Sequence, residues 1–206
     1  MAPEARIAAI VLAGGRASRL GQPKPWAIVG GEALLARVLR GVEGYRTAVV
    51  GPPELDRLVK PRDDIFVTRE TPAFGGPVAG IAAGYAGLTA TGPGTEWLIL
   101  LACDLPHAAE AVSMLVERVP ALADAEAGAC LVVDDRPQWL CGIYRAAAVR
   151  SGLERLRRGK GVDSASVRSL LGALPLALID GADRLAFDVD TPEDLRAANA
   201  DERIDR

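Results

Sequence analysis

The sequence predicts a single-domain α/β fold with a doubly wound, mostly parallel sheet and helices on both of its faces. Strand-like and helix-like segments alternate along most of the 206 residues, which is the pattern of such folds. Half of the residues are hydrophobic and only 4% are aromatic, a composition typical of helices packed on a parallel sheet. The length corresponds to one domain, and we expect flexible tails at about 1–6 and 201–206.

The N-terminal third contains the first three predicted strands. The first, at 7–13, is an apolar, β-branched run that ends at a pair of glycines, which is typical of a buried parallel strand. Apolar periodicity then predicts a helix at 32–42. The next segments are predicted as a strand at 47–50, which a Gly-Pro-Pro sequence ends, a helix at 54–60 and a strand at 65–67.

The middle third contains the strand with the clearest signal. Small residues at 77–88 predict a helix that packs closely on the sheet, and the composition of 89–94 predicts a loop. The strongly apolar run at 97–102 predicts a buried strand. A proline is expected at the start of the helix that follows, at 106–119.

The C-terminal third begins with two strands, at 129–133 and 139–144, joined by a turn at 134–137 that favours an antiparallel pair. Two helices at 146–157 and 163–171 and a strand at 174–179 follow. The last helix is predicted at 191–199. It has Thr191 as N-cap, Pro192 at its first position and Asp194 three residues after the cap.

Charge, hydropathy and cysteine content exclude several classes of protein. The formal net charge is −3, so the chain lacks the basic footprint of a nucleic-acid-binding surface. No apolar run is long enough to span a membrane, and the charged N-terminus does not resemble a signal peptide. The three cysteines are scattered and form no CxxC pair. This argues against disulfides and structural zinc and favours buried thiols in a reducing, cytoplasmic setting.

The first chemical motif is the segment L-A-G-G-R-A-S-R-L-G-Q-P-K at 12–24. A glycine-rich turn after the first strand of such a sheet is a ligand site, because paired glycines let backbone N–H groups approach phosphate oxygens. Arg19 and Lys24 add positive charge. The spacing is neither GxGxxG nor a Walker A loop, and a plain glycine turn with solvated basic residues is the alternative. The combination favours a polyphosphate site.

This signature resembles that of the nucleotidyltransferases related to molybdenum cofactor guanylyltransferase, which have a Rossmann-like fold. LAGG, three residues, R-L-G, two residues and K also resembles the signature of cytidylyltransferases and sugar-phosphate nucleotidyltransferases. The resemblance implies that Arg19 binds the phosphates and that Lys24 stabilises charge at the α-phosphate. It implies nucleotide contacts from four residues of the loop: Leu12, Ala13, Gly14 and Gly15.

Asp104 follows the apolar strand at 97–102, at the sheet edge where the glycine loop also lies. A bound cation offsets the cost of desolvating such a carboxylate, and an N-cap for the next helix is the alternative role. The C-D-x-P context of Asp104 resembles that of the family's metal-binding aspartate. The resemblance therefore implies that Asp104 binds Mg²⁺ and acts in catalysis.

The segment G-G-P-V-A-G-I at 75–81 is a glycine turn that leads into a helix. The free N–H groups and the dipole of a helix N-terminus favour anions. The segment resembles the GPLAGI stretch of the guanylyltransferase nucleotide site, which implies nucleotide contacts from Gly76, Pro77 and Gly80. Glu70 lies near the position where the family often has an acidic residue.

The segment R-P-Q-W-L-C-G-I-Y at 136–144 resembles a Q-P-L-x-x-x-Y stretch that faces the acceptor in the guanylyltransferases. Gln138, Leu140 and Tyr144 match this stretch, whereas Trp139 stands in place of the usual proline. We expect Trp139 to pack in the core, and an aromatic acceptor site is the alternative.

The segment F-D-V-D-T-P-E-D at 187–194 departs from the guanylyltransferase pattern. Those enzymes commonly have asparagines where Asp188 and Asp190 stand, whereas related cytidylyltransferases and sugar-phosphate enzymes often have aspartates. Asp190 is a second candidate Mg²⁺ ligand beside Asp104, and surface helix capping is an equally weighted alternative.

Two further groups of polar residues are interpreted as structural. His107 is the only histidine and lies in the first turn of a predicted helix. A basic cluster is expected at a solvated helix end, with contact to an anionic acceptor as the alternative. Its members are Arg155, Arg157, Arg158 and Lys160.

The family resemblance implies transfer of GMP from GTP to molybdopterin with Mg²⁺, giving molybdopterin guanine dinucleotide and pyrophosphate. An acceptor phosphate is already ionised at neutral pH, so catalysis would depend on positioning and charge neutralisation. The alternatives are cytidylyl transfer to molybdopterin, another sugar- or small-molecule-phosphate nucleotidyltransferase, and a non-catalytic nucleotide-binding partner in molybdoenzyme maturation. Molybdoenzymes or their chaperones are the expected protein partners, with no nucleic acid and no membrane.

Overall fold

A computed structural model of the protein describes residues 6–15, 19–59, 64–90, 94–180 and 183–204. The strands are β1 (Ile7–Leu12), β2 (Ile28–Val29), β3 (Glu32–Ala33), β4 (Arg46–Val50), β5 (Ile65–Thr68), β6 (Trp97–Ala102), β7 (Gly128–Val133), β8 (Arg136–Arg145) and β9 (Leu176–Ile179). The α-helices are α1 (Leu34–Gly41), α2 (Pro77–Ala90), α3 (Ala108–Arg118), α4 (Ala146–Arg158), α5 (Val167–Leu171) and α6 (Pro192–Ile204). Short 3₁₀ helices lie at Lys24–Trp26, Pro53–Arg57 and Val119–Ala121.

Seven strands form one sheet in the order β5-β4-β1-β6-β8-β7-β9. The first four are parallel, β8 is antiparallel to both of its neighbours, and β7 is parallel to β9. Strands β2 and β3 form a separate antiparallel pair. The prediction of a mostly parallel α/β sheet is confirmed, as is the prediction that β8 runs antiparallel to β7.

Helices cover both faces of the sheet, because alternate residues of each buried strand point to opposite sides. On one face, Ala9 and Val11 of β1 belong to a core that includes residues of α1 and α3. On the other face, Ala8 and Ile10 belong to a core that includes residues of α2, α4 and α5. This alternation explains why the strand predicted at 7–13 is apolar without interruption.

A third, smaller core attaches the C-terminal helix to the segment that follows the glycine loop. It is formed by Leu20, Ala27, Val29, Leu34, Val189 and Ala198. The helix continues to Ile204, past the predicted end at residue 199, and Asp201 and Glu202 pair with other elements. This core brings the chain just before α6 beside the segment that contains Lys24.

Several helix boundaries differ from the predicted ones for local reasons. The segment predicted as a helix at 163–171 is helical only from Val167, because Ser164 has φ +59° and Ser166 is the N-cap. Residues 32 and 33 pair with β2 instead of starting α1. The segment predicted as a helix at 54–60 forms a 3₁₀ helix at Pro53–Arg57, and Lys60 lies outside the described residues.

Two further observations concern the cysteines and the length and hydropathy of the helices. Cys103, Cys130 and Cys141 are buried and free, so the prediction that they serve as small core residues is confirmed. No helix among the described residues is long and apolar enough to cross a membrane.

Candidate active site

A cleft of about 550 Å³ opens at the carboxyl ends of β1 and β6. Loops that follow parallel strands meet at this edge of an α/β sheet, which is the usual place for ligands. The residues that line the cleft are Leu12, Ala13, Gly14, Gly15, Lys24, Pro25, Val50, Glu70, Phe74, Gly76, Pro77, Gly80, Ala102, Cys103, Asp104 and Leu140. All seven predicted nucleotide-binding residues lie in this lining.

The glycine loop is held by the ends of the two strands that flank β1. The Ala13 N–H donates to the Val50 carbonyl at 2.8 Å, and the Cys103 N–H donates to the Leu12 carbonyl at 3.1 Å. A Cβ atom at Gly15 would meet nothing within 4 Å among the described residues. No packing contact with the described part of the chain therefore requires a glycine at position 15. Residues 16–18, between this loop and Arg19, lie outside the described residues.

Lys24 lines the cleft with Asp104 and lies at the centre of a charged group that extends to Asp190 and Arg19 beside the cleft. Its Nζ is 2.5 Å from Oδ2 of Asp104 and also hydrogen-bonds to Asp190, and the exposed Arg19 lies 3.3 Å from the other Asp190 oxygen. Burial alone lowers the pKa of Lys24. The hydrogen bonds and negative charges of the two aspartates outweigh burial and raise that pKa well above its ordinary value. Lys24 is therefore a permanent cation at physiological pH.

Three carboxylates converge beside Lys24. One oxygen each of Asp104, Asp188 and Asp190 lies within 4.8 Å of the others, and Oδ1 of Asp104 is buried without a hydrogen-bond partner among the described residues. Burial, followed by the charges of Asp104 and Asp190, raises the pKa of Asp188. A cluster of oxygen donors with an unsatisfied buried acceptor has the chemistry that Mg²⁺ requires.

Asp188 is the functional candidate that sequence reasoning did not assign to the metal cluster. Besides Asp104, the sequence predicts a metal role for Asp190 but not for Asp188, yet residues two apart in an extended segment point to the same side. That spacing is the signal that identifies Asp188. The backbone N–H of Val189, between them, donates to the Asp104 carbonyl at 3.0 Å, which fixes the segment against the end of β6.

Helix capping does not compete for the two aspartates that pair with Lys24. At α6, the Asp194 N–H donates to Thr191 Oγ1 at 3.2 Å, and Asp194 accepts from the N–H groups of Asp190 and Thr191. At α3, the N-cap position is His107, and the Asp104 carboxylate turns to Lys24 instead. Both carboxylates are therefore available to the cleft.

The glycines at 75–81 serve close packing and backbone conformation. Gly76 has φ +89°, and a Cβ at Gly80 would lie 3.1 Å from a methyl group of Leu12. The Gly75 carbonyl accepts from the Ser164 N–H at 2.7 Å, which joins this turn to the loop before α5. The N-terminus of α2 is thus brought against the glycine loop of β1, at one side of the cleft.

On the opposite side, only Leu140 of the predicted acceptor stretch lines the cleft. Tyr144 is fully buried and its hydroxyl donates to the Trp139 carbonyl at 2.8 Å. Trp139 packs against the core beneath α4, as expected for a packing residue. Gln138 donates to the Arg136 carbonyl at 3.2 Å.

Residues 9–177 match the family model of the MobA-like NTP transferase domain. The chain belongs to this family. A molybdenum cofactor guanylyltransferase of Rhodobacter capsulatus is 32% identical over 202 residues, covering 97% of each chain. A probable molybdenum cofactor guanylyltransferase of Trichormus variabilis is 32% identical over 201 residues, covering 92% of this chain and 88% of the relative.

The same fold occurs in a solved structure of molybdopterin-guanine dinucleotide biosynthesis protein A from Archaeoglobus fulgidus. It has a TM-score of 0.67 and 20% sequence identity, and the match covers 93% of this chain and 96% of that chain. Within this MobA-like NTP transferase, Lys24 and Asp104 lie inside the matched residues, whereas Asp188 and Asp190 lie beyond them.

Two groups interpreted as structural lie elsewhere in this MobA-like NTP transferase. His107 is buried, with Nε2 3.2 Å from Asp201, so it joins α3 to α6. Arg155 donates to the carbonyls of Ser169 and Leu170 at 2.9 and 3.3 Å. These contacts agree with structural roles for His107 and Arg155.

Proposed function

We propose that this nucleotidyltransferase transfers GMP from GTP to molybdopterin, forming molybdopterin guanine dinucleotide and releasing pyrophosphate. The similarity to a molybdenum cofactor guanylyltransferase over 97% of both chains is the observation that carries this proposal. The cleft supports it, because Lys24 and Asp104 line it together with the glycine loop, and Asp188 and Asp190 cluster with Asp104.

Catalysis of this reaction depends more on stabilising negative charge than on acid–base chemistry. A phosphate acceptor is ionised at neutral pH, so it attacks the α-phosphorus without a strong base, and pyrophosphate leaves. Lys24 would stabilise the charge that builds on the α-phosphate, and Arg19 would hold the phosphate chain. The glycine loop and the N-terminus of α2 would present N–H groups to the nucleotide.

We further propose that Asp104, Asp188 and Asp190 hold Mg²⁺. Bound there, Mg²⁺ would neutralise phosphate oxygens. The buried acceptor Oδ1 of Asp104 fits this role. In this structure Lys24 contacts two of these carboxylates. We infer that it leaves them and contacts phosphate when nucleotide and metal bind.

A cytidylyltransferase acting on molybdopterin is the second candidate. Aspartates at 188 and 190, where guanylyltransferases commonly have asparagines, favour it. The test is anaerobic incubation of the purified protein with molybdopterin, Mg²⁺ and each of GTP, CTP, ATP and UTP, with pyrophosphate release as the readout. Preference for GTP supports the first proposal and preference for CTP supports the second, while no turnover with any nucleotide contradicts both.

A purely nucleotide-binding role is tested with Asp104→Asn, which keeps the size of the side chain and removes its charge. For an enzyme we expect turnover to fall by roughly 100-fold or more while GTP still binds. Asp124→Asn is the matched control, because Asp124 is exposed and lies outside the cleft lining. Equal activity of the two variants would contradict a catalytic role for Asp104.

A further inference from the structure

We propose that Arg37 is a positioning residue for the lysine–carboxylate cluster, which consists of Lys24, Asp104, Asp188 and Asp190. One buried guanidinium holds the segments that carry these groups at their spacing. This inference rests on the proposed function in taking the cluster as the reacting site, and it holds whichever nucleotide is the donor. Arg37 belongs to α1 and lies outside the cleft lining. It is only 8% exposed, and a buried charge is costly unless its surroundings pair it.

The guanidinium of Arg37 contacts three separate parts of the chain. Nε donates to the Pro106 carbonyl at 3.1 Å, Nη1 donates to the Val29 carbonyl at 3.3 Å, and Nη2 pairs with the Glu202 carboxylate. A guanidinium is planar, and its five N–H donors point in fixed directions. The three acceptors are therefore held in one arrangement around Arg37, which the single ammonium group of a lysine cannot reproduce.

Two of the acceptors lie close in the chain to charged residues of the cluster. Pro106 comes two residues after Asp104, in the turn between β6 and α3. Val29 comes five residues after Lys24, and the Ala27 N–H donates to the Lys24 carbonyl at 3.1 Å. This 3₁₀ turn leaves little slack in the chain between Lys24 and β2. A displacement of either carbonyl acceptor is therefore passed on to the charged side chain near it.

The third acceptor belongs to the helix that follows the other two aspartates. Glu202 lies in the last turn of α6, which begins two residues after Asp190, and about 15 Å of stiff helix separates that start from Glu202. The turn between β2 and β3 lies directly on the ion pair. A Cβ at Gly30 would be 2.8 Å from a Glu202 oxygen and 3.2 Å from Nη1 of Arg37. The far end of α6 is thus fixed to the same guanidinium as the other two segments.

The cluster needs such support because its like charges repel. One oxygen each of Asp104, Asp188 and Asp190 lies within 4.8 Å of the others, and carboxylates at this spacing repel one another. Mg²⁺ requires a nearly ideal octahedral set of oxygens, so small displacements of its ligands weaken binding. In the described part of the chain, Arg37 contacts two carbonyls and Glu202 instead of these carboxylates. It therefore acts on the cluster through geometry and not through direct contact.

The experiment compares Arg37→Lys and Arg37→Met with the wild type. Lysine keeps a positive charge beside Glu202 but cannot reach the three acceptors together, whereas methionine removes all three contacts. Val149→Ala is the control for stability, because Val149 is fully buried in the core on the sheet face opposite α1. For each protein we measure the urea midpoint of unfolding and the dissociation constant of Mn²⁺ without nucleotide, by electron paramagnetic resonance. The transfer assay at saturating Mg²⁺ then gives kcat and KM for the donor nucleotide.

For Arg37→Lys we expect Mn²⁺ affinity and kcat each to fall by roughly tenfold, because the metal ligands and Lys24 lose their relative positions. KM for the nucleotide should change by roughly twofold or less, since the glycine loop is held by the ends of β4 and β6. Arg37→Met should show larger losses of Mn²⁺ affinity and kcat together with a lower unfolding midpoint. Val149→Ala should lower the midpoint and keep wild-type Mn²⁺ affinity and kcat.

Wild-type Mn²⁺ affinity and kcat in Arg37→Lys would overturn the positioning role. Equal losses in Val149→Ala would also overturn it, because they would make the losses a consequence of lower stability, as would a rise in KM with unchanged kcat. If the wild type transfers GMP and Arg37→Lys equals it in kcat, this inference alone fails. If the wild type binds Mn²⁺ but transfers no nucleotide, the proposed function fails, and the comparison of Mn²⁺ affinities still decides the role of Arg37.

Discussion

Lys24 balances two carboxylates that would otherwise repel each other beside the glycine loop. Its side chain is 20% exposed and that of Asp104 is 10% exposed, so both charges have lost much of their water. Removing one partner of such a pair leaves an uncompensated buried charge. The contact between Lys24 and Asp104, which belongs to the proposed phosphate site, is therefore expected to contribute to the stability of the folded chain as well.

Lys24→Met should lower the free energy of unfolding by about 1–3 kcal/mol, because Asp104 loses its counter-ion. Millimolar Mg²⁺ should restore part of this loss in the variant if the three carboxylates bind the metal. Urea denaturation with and without Mg²⁺ measures both effects. The control is Arg196→Met, which removes one partner of an exposed pair with Glu193 and should change stability little. Equal stability of the two variants would contradict the predicted role of Lys24.

The three cysteines should be inert in the folded protein. Burial raises the pKa of Cys130 to about 11 and that of Cys141 to about 12, and it raises the pKa of Cys103 further. Only the thiolate reacts, so at pH 8 these shifts reduce the reactive fraction by roughly two orders of magnitude or more. Mass spectrometry after iodoacetamide treatment should find no alkylation in buffer and three alkylated thiols in urea. Rapid labelling of the native protein would contradict the assignment.

At the scale of single elements, the buried strands are the features that sequence predicts best. The predicted strand at 97–102 matches β6 residue for residue. A strand that is apolar without interruption must bury both of its faces, which happens when helices cover both sides of the sheet. Helix starts are less predictable. The start of α5 depends on the left-handed conformation of Ser164 and on the Ser166 cap, and neither is encoded by apolar periodicity.

The grouping of the site residues was only partly predictable. The glycine loop, Lys24 and Asp104 carry recognisable motifs, whereas Phe74 lines the cleft because of a backbone conformation that no motif signals. Asp188 can be assigned to the carboxylate cluster only if the segment before α6 is known to be extended. Sequence motifs identify site residues that have a characteristic spacing along the chain. They miss residues that only tertiary packing brings to the cleft.

The cap of α6 should stabilise the folded protein and should also fix the position of Asp188 and Asp190, which precede the helix. Thr191→Ala removes the oxygen that accepts from the Asp194 N–H and should cost about 1 kcal/mol in the free energy of unfolding. Glu193→Ala, at an exposed position of the same helix turn, is the control and should cost much less. Urea denaturation gives both values. A cost for Thr191→Ala no greater than that for Glu193→Ala would contradict the cap.

The glycine loop offers a test that separates stability from binding. Gly15→Ala should leave the unfolding midpoint nearly unchanged, because a Cβ there meets nothing within 4 Å in the part of the chain that the structure describes. It should weaken GTP binding by roughly tenfold if the backbone at Gly15 lies against phosphate. Thermal unfolding and calorimetry on the same sample measure the two quantities. Wild-type GTP affinity in this variant would contradict direct backbone contact at position 15.

At the scale of the whole molecule, α6 clamps parts of the chain that are distant in sequence. Glu202 pairs with the buried Arg37 of α1, which also donates to the carbonyls of Val29 and Pro106. Asn199 donates to the Ile28 carbonyl at 3.0 Å and accepts from the Gly30 N–H at 3.1 Å. The end of α6 thus holds the short β2–β3 pair, which follows Lys24 closely in the chain.

Glu202→Ala should lower the free energy of unfolding by about 1–3 kcal/mol, because the Arg37 guanidinium loses its counter-ion while keeping its carbonyl partners. Glu202→Gln, which keeps an acceptor, should lose less. Denaturant unfolding of the two variants provides the comparison. If both variants are as stable as the wild type, α6 is not clamped through this pair.

The contact between the Val189 N–H and the Asp104 carbonyl also has a consequence for synthesis of the protein. During translation, the glycine loop, Lys24 and Asp104 are made long before Asp188 and Asp190. A growing chain can therefore form the glycine-loop side of the cleft while the cluster of three carboxylates is still incomplete. The order of residues along the chain delays that cluster until the segment before α6 has been made.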